Sequence, residues 1–352
     1  MVPREQYGVF QRPAPSFSLN DLVIQARRAA LELVEQLRQA ETATNGWCDH
    51  DVAVQRVTVA LDQCLAELSK TDCWGEANRV PSSEVWRIAG QWLQRGELQW
   101  RARSKPRGYA GDYEMLRMMI QRQTAQDPLG AVFDEYFLSQ AAPLAVCDRT
   151  ELIAKKVIQC IDRSADDPFH LLSFGAGPAM DVARAVENLK PGQIKKLKVT
   201  LSDMDPAALA FAEDLNRQHL SADCLTCHSA NLFRLPDRFA NRQCFSPASI
   251  LICTGLFDYL GDVEAARMLE FLWRHVAPSG TLIVGNFAPH NPTRAYMEWI
   301  GNWYLTYRDR EQFNQIATDA GLRQEQFQII TDRTGVDLFL VAECDRLGRT
   351  GQ

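Results

Sequence analysis

The stretch His170-Leu171-Leu172-Ser173-Phe174, broken by Gly175-Ala176-Gly177 and followed by Met180-Asp181-Val182-Ala183, constrains this chain more than any other. A strand that stops on two glycines and opens directly into a helix forms the first turn of a nucleotide-binding sheet. Glycine lets the backbone turn tightly and lets a ligand approach without a Cβ in the way. Two glycines alone fit many tight turns, so the reading rests on their surroundings. Downstream, Val199-Thr200-Leu201-Ser202-Asp203-Met204-Asp205-Pro206 ends a second strand on carboxylates. An acid there can accept both hydroxyls of a ribose, against the plainer reading of a surface turn with solvated aspartates. The separation from Gly177 to Asp203 exceeds what a compact unit needs, and Lys190-Pro191-Gly192 is expected to absorb the excess as a loop.

The texture around that turn is an alternation of strands and helices. Strands are expected at Leu197 to Ser202, Cys224 to Ser229, Ser249 to Cys253 and Thr281 to Val284. Helices are expected at Glu151 to Ile161, from near Ala179, at Ala207 to His219 and at Val263 to His275. Such alternation indicates βαβ units and a parallel sheet. The end differs, because Phe327 to Thr331 and Leu338 to Ala342 read as a terminal antiparallel hairpin. Before residue 148 the pattern is helical: Ser18-Leu19-Asn20-Asp21 caps a long helix to about Ala40, and Val52 to Leu68 and Ser83 to Leu93 repeat the helical period. Residues 1–18 carry three prolines and read as an irregular arm. The expected division is a helical domain or cap over 1–147 and an α/β, Rossmann-like ligand-binding domain over 148–352.

Composition narrows the partners. With 46% hydrophobic and 23% charged residues the chain reads as an ordinary globular protein. Its net charge of -6 disfavours a protein that tracks nucleic-acid phosphates. No stretch has the apolar length of a membrane span, and Met1-Val2-Pro3-Arg4-Glu5-Gln6 lacks the order of a signal peptide, so a cytoplasmic location is expected. Cys224-Leu225-Thr226-Cys227-His228 matches a haem-attachment spacing. That chemistry requires export, and the segment falls where a strand should run, so no haem is expected. No second Cys or His pair stands at zinc spacing, so no metal is expected either.

The ligand is narrowed by what replaces a third glycine. Dinucleotide binding wants a glycine for close helix–strand packing, and Met180 stands there instead. Further on come Ser229-Ala230-Asn231-Leu232-Phe233, Thr254-Gly255-Leu256-Phe257-Asp258-Tyr259-Leu260 and Pro278-Ser279-Gly280-Thr281-Leu282. In order and spacing this series resembles the class I S-adenosylmethionine-dependent methyltransferases, whose sheet also closes on an antiparallel hairpin. The resemblance implies S-adenosylmethionine as cofactor. It also implies contacts from Ser173, Gly175 and Gly177 at the first turn, Asp203 and Met204 at the ribose, Asn231 and Leu232 at the adenine, and Thr254 and Asp258 after the fourth strand. Many such enzymes carry an acid two residues before the first glycine, where this chain has Ser173.

A second motif lies in the helical region. Lys105-Pro106-Arg107-Gly108-Tyr109-Ala110-Gly111-Asp112-Tyr113-Glu114-Met115 places two glycines, two phenols and a carboxylate between helices. One reading is an inter-helix loop in which Asp112 is an N-cap. The other is a lid over the cofactor, in which Tyr109 or Asp112 compensates for Ser173. Together with the domain that follows, the motif resembles bacterial methyltransferases of 3-hydroxypalmitic acid methyl ester biosynthesis. That resemblance implies methyl transfer to a fatty-acid carboxylate. The nearby Arg95, Arg101, Arg103, Lys105 and Arg107 form either a solvated face or a carboxylate-binding edge, with Arg107 the substrate candidate.

The acceptor pocket is expected beyond the fifth strand, in Asn286 to Arg308. Trp299, Trp303 and Tyr307 are candidates for its apolar wall, with core packing the alternative, and His290 and Arg294 are candidates for polar contact. A carboxylate acceptor is ionised at neutral pH and needs alignment more than a base. An amine or hydroxyl acceptor needs one, for which His290, Tyr259 and Asp258 are the candidates. The expected activity is therefore methyl transfer to a small molecule, an acyl carboxylate first. N- or O-methylation of another metabolite, or a non-catalytic cofactor-binding regulatory module, are the alternatives.

Overall fold

A computed structural model describes residues 17–239 and 243–345. The chain begins with seven helices: α1 (Leu19–Ala43), α2 (His50–Ser69), α3 (Arg79–Leu93), α4 (Glu97–Ser104), α5 (Tyr113–Gln121), α6 (Pro128–Leu138) and α7 (Ala141–Arg163). Then follow β1 (Phe169–Phe174), α8 (Met180–Glu187), α9 (Pro191–Lys196), β2 (Leu197–Asp203), α10 (Pro206–Asn216), β3 (Leu225–Ser229), α11 (Leu235–Arg238), β4 (Ala248–Cys253) and α12 (Asp262–Trp273). The chain closes with β5 (Val276–Phe287), α13 (Arg310–Asp319), β6 (Phe327–Thr331) and β7 (Asp337–Glu343). The irregular arm expected over residues 1–18 lies, apart from Phe17 and Ser18, outside the described residues.

Local chemistry starts the elements where expected. Ser18 and Asp21 form a reciprocal capping box on α1. Asp127 caps α6 ahead of Pro128, and Asp205 caps α10 ahead of Pro206. Strand β4 is buried along its whole length and β1 at every position but His170, as strands covered on both faces must be. The seven-stranded sheet has the order β3-β2-β1-β4-β5-β7-β6, with β7 antiparallel to both of its neighbours. This is the Rossmann-like methyltransferase sheet, preceded by a helical region. No helix among the described residues is long and apolar enough to cross a membrane.

Two expectations need correction. Lys190-Pro191-Gly192 is not a plain loop, because Pro191 opens the short helix α9. Pro278-Ser279-Gly280 is not a turn before the fifth strand but an irregularity inside it. Ala248 pairs with Val276 before the irregularity and Ile250 with Thr281 after it. Gly280 is needed there, since a Cβ would stand 2.7 Å from the Ala248 carbonyl. Helix α7 spans Ala141–Arg163 and so runs through residues 147 and 148, where the two expected regions meet. Its first half packs in the helical core through Ala142, Ala145 and Val146, and its second against the sheet through Ile153, Val157 and Ile161.

The two regions share a second seam. After β5 the chain makes a π-helical turn, Tyr296–Ile300, whose side chains are buried in the helical core rather than against the sheet. Trp86 Nε1 donates to the Ile300 carbonyl at 2.7 Å and Ser82 Oγ to that of Trp299 at 3.0 Å. The buried Glu298 carboxylate accepts from Gly75 N at 2.6 Å.

Candidate active site

The site lies at the carboxyl edge of the parallel strands, where β1 has β2 on one side and β4 on the other. Strand order reverses at that point, and open α/β sheets bind ligands in the resulting crevice. Gly175 and Gly177 both take positive φ, +70° and +52°, which only glycine adopts without strain. Gly175 N donates to the Ser202 carbonyl at 2.8 Å, tying the turn to the end of β2. Asp203, at that end, accepts from Gly177 N at 2.8 Å and from Asp205 N at 2.9 Å. Burial pushes its carboxyl above the ordinary range, and the backbone donors oppose that shift. Each carboxylate oxygen has two lone pairs, so these bonds leave acceptor capacity for a ligand. Met204, beside it, is exposed.

The loop at 105–112 spans this edge. At its near end Arg107 Nη2 donates to Asp205 Oδ1 at 2.6 Å, Arg107 Nε also donates to that carboxylate, and Tyr109 Oη reaches it at 3.4 Å. At its far end Tyr259 Oη donates to the Ala110 carbonyl at 3.1 Å and accepts from Trp303 Nε1 at 3.0 Å. Gly111, at φ +70°, fits against those two rings. A Cβ there would lie 2.7 Å from Trp303 Cζ2. The loop thus bridges from the end of β2 to the residues that follow β4 and β5.

Several candidate residues are placed otherwise than expected. Asp112 does not face the sheet: its buried carboxylate caps α5 at Met115 N, 2.9 Å, and pairs with Arg101 at 3.0 Å. Arg107 is bound to Asp205 rather than free for a substrate. Asp258 is held as an anchor, accepting from Phe287 N at 2.8 Å and Asn286 Nδ2 at 3.0 Å, and burial pushes its carboxyl up to about 6. Arg294 pairs with Glu298 at 2.7 Å and lies between the rings of Trp74 and Tyr307, 4.8 and 4.9 Å from their centroids. Trp299 is wholly in the core. His290 is exposed against the turn between β6 and β7, its Nε2 3.7 Å from where a Cβ on Gly335 would stand. Tyr259 is a poor base, since its hydroxyl points at a carbonyl that would repel a phenolate; the residue as a whole, however, is 41% exposed. Tyr259 and Trp303 are the two candidates that meet at the mouth. Asn231 is exposed past the end of β3, while Leu232 is buried, 3.8 Å from the position of a Gly175 Cβ.

Beneath the glycine turn is a recess of about 50 Å³ lined by Ser173, Gly175, Thr254, Arg149, Thr150 and Asp181. Arg149 and Asp181 line this recess and were not among the candidates drawn from the sequence. Asp181 carried a usable signal, lying four residues after Gly177 in the first turn of the following helix. Arg149 carried little, since a helical arginine reads as a solvated one. Among the described residues no three His, Cys, Asp or Glu side chains gather as a metal site.

No protein-family model and no curated protein matches this sequence. Solved structures do match its fold. A possible exported protein from Bordetella parapertussis is 17% identical, with 95% of this chain and 97% of that one covered at a TM-score of 0.56. The CurJ carbon methyltransferase is 14% identical, with 93% and 96% covered at 0.51. Both likenesses run nearly end to end, so the helical region belongs to the shared architecture.

Proposed function

We propose that this chain binds S-adenosylmethionine and methylates the carboxylate of a small acyl acid. The observation that carries the reading is Asp203, buried at the end of β2 and bonded by the glycine turn, with the 105–112 loop bound to the neighbouring Asp205. Its remaining lone pairs suit the two ribose hydroxyls of a nucleoside. Asn231 stands at the edge where an adenine would extend. The fold, shared with a carbon methyltransferase, is consistent with this cofactor. When bound, S-adenosylmethionine supplies an electrophilic methyl group on its sulfonium.

The chain's own residues then have three tasks. Asp203 and the glycine turn hold the nucleoside. The loop, fixed at Asp205 and at Tyr259, excludes water from the space between them. The exposed ring of Tyr259 and the neighbouring Trp303 offer an apolar wall for the acceptor's hydrocarbon part. A carboxylate suits such a site because it is already ionised at neutral pH and asks only for alignment. The placements of His290 and Tyr259 favour that acceptor over one needing deprotonation.

A panel of fatty and 3-hydroxy fatty acids, amines and phenols, followed by S-adenosylhomocysteine release, tests this reading. Turnover with the acids and not with the amines or phenols is expected. Turnover only with amines or phenols overturns the acceptor class. Tight binding of a nicotinamide dinucleotide without S-adenosylmethionine overturns the cofactor.

A further inference from the structure

The five cations between residues 95 and 107 do not form one face. Arg95 pairs with Asp127 at 2.8 Å, Arg101 with Asp112 at 3.0 Å, and Arg107 with Asp205. Arg103 and Lys105 remain, both half-buried, and among the described residues neither pairs with a carboxylate. Arg103 donates through Nη1 to Ser82 Oγ at 2.5 Å and through Nη2 to Ser83 Oγ at 3.3 Å. Those serines stand near the start of α3, where Ser83 Oγ donates to the Arg79 carbonyl at 2.8 Å. The Arg79 guanidinium lies 5.0 Å from the centroid of the Tyr304 ring, and the buried Tyr304 hydroxyl has no hydrogen-bond partner among the described residues. Burial, together with the charges of Arg79 and Arg103, pushes the Lys105 ammonium below its ordinary range, and burial lowers Arg103 as well.

Like charges gathered in a half-buried place oppose one another, and each is costly to desolvate without an anion. Two acids on this side are already engaged. Glu76 is paired with Arg79, and the buried Glu298 is closed by Arg294 at 2.7 Å and Gly75 N at 2.6 Å. The charges of Arg103 and Lys105 are therefore uncompensated. A carboxylate would neutralise one of them, whereas a phosphate group, carrying about −1.5 to −2 at neutral pH, answers both. The cluster also adjoins the mouth of the site. Lys105 opens the loop whose Ala110 carbonyl bonds Tyr259, and Tyr304 follows Trp303, which bonds the same Tyr259 hydroxyl.

We propose that Arg103, Lys105 and Arg79 form a binding site for a phosphate-type dianion, with the Tyr304 hydroxyl as its neutral donor. The dianion is either free phosphate or a phosphate ester at the end of the acceptor remote from the methylated group. Only the second source rests on the proposed methyl transfer.

Calorimetric titration of the full chain with inorganic phosphate, against chloride at matched ionic strength, tests the site. Saturable binding is expected, weakened about tenfold in R103Q and in K105Q, in line with losing one charged hydrogen bond. R38Q, which removes an exposed cation from α1, should change it by less than about twofold. K105Q alters a residue just past the end of α4 and keeps the test open if R103Q fails to fold. Absence of binding, or equal losses in R38Q and K105Q, overturns the site and leaves a solvated basic face. The sources separate with two acceptors, a fatty acid and its ω-phosphorylated counterpart. A KM at least about tenfold lower for the phosphorylated acid, with the advantage lost in K105Q, assigns the dianion to the acceptor. Equal KM values with phosphate binding intact assign it to free phosphate. Turnover of neither acid with phosphate binding intact overturns the proposed acceptor class and leaves the anion site standing.

Discussion

Two groups of buried charges sit within this chain, and they differ in how completely they are satisfied. At the seam after β5, Arg308 is 1% exposed and donates to the Phe257 carbonyl, to Asn286 Oδ1, to the Leu260 carbonyl and to Asp262, at 3.0, 2.6, 2.7 and 2.9 Å. Asn286 passes the bonding on to Asp258, and Arg294 is closed by Glu298 and two aromatic rings. Under the glycine turn, Arg149 and Asp181 keep donors and acceptors open, and Asp203 is bonded only by backbone amides. The first arrangement ties the segments that follow β4 and β5 to one another, and only Arg294, over the Trp74 ring, reaches the helical region. The second leaves polar atoms open toward the recess under the glycine turn. Charged residues in a cleft are therefore not equivalent, and completeness of partners separates scaffold from site.

That contrast can be broken at the seam. Arg308→Ala leaves Asn286 and the loop carbonyls without their donor inside the protein, and a loss of about 3–5 kcal/mol is expected on removing one partner of such a buried network. Denaturant unfolding measures it. A loss of under about 1 kcal/mol would mean that the network is not what fixes the segments after β4 and β5 to each other.

The loop between the two groups offers a sharper variant. Gly111→Ala places a methyl against Trp303 and demands a left-handed conformation from a residue with a Cβ. The backbone conformation alone costs about 1–3 kcal/mol. Stability should fall by that amount, and cleavage of the 105–112 loop by protease should become faster. Unchanged protection would show that the loop is not seated on Tyr259 and Trp303.

The same contrast explains what the sequence could reveal. The strand alternation and the glycine turn are local patterns, and the strands lie within a residue or two of their expected bounds except β5, which runs from Val276 to Phe287 rather than from Thr281 to Val284. The loop at 105–112 was legible as a segment between helices with Asp112 as an N-cap, one of its two readings, but the tie of Asp112 to Arg101 was not, because the pairing is set by the fold. Arg107 reads as a free cation until its partner 98 positions away is seen. The π-helical turn shows the larger difficulty. Five aromatic residues near 300 announce an apolar surface without saying which region covers it, and Trp299 is covered by the helical core. Asp181 was obscured because an acid in the first turn of a helix is favourable there without any ligand.

The most direct test of the account is the pH dependence of S-adenosylhomocysteine binding to the wild type and to Asp203→Asn. Asp203 must be ionised to accept both ribose hydroxyls, and burial raises its pKa. Affinity should therefore hold near neutral pH and fall on acidification, beginning above the ordinary carboxylate range. The variant should bind about tenfold more weakly at pH 7, in line with losing one charged acceptor, and should lack that part of the pH response. Wild-type affinity at pH 7 in the variant, with the same acid limb, would contradict the placement of the nucleoside at the end of β2.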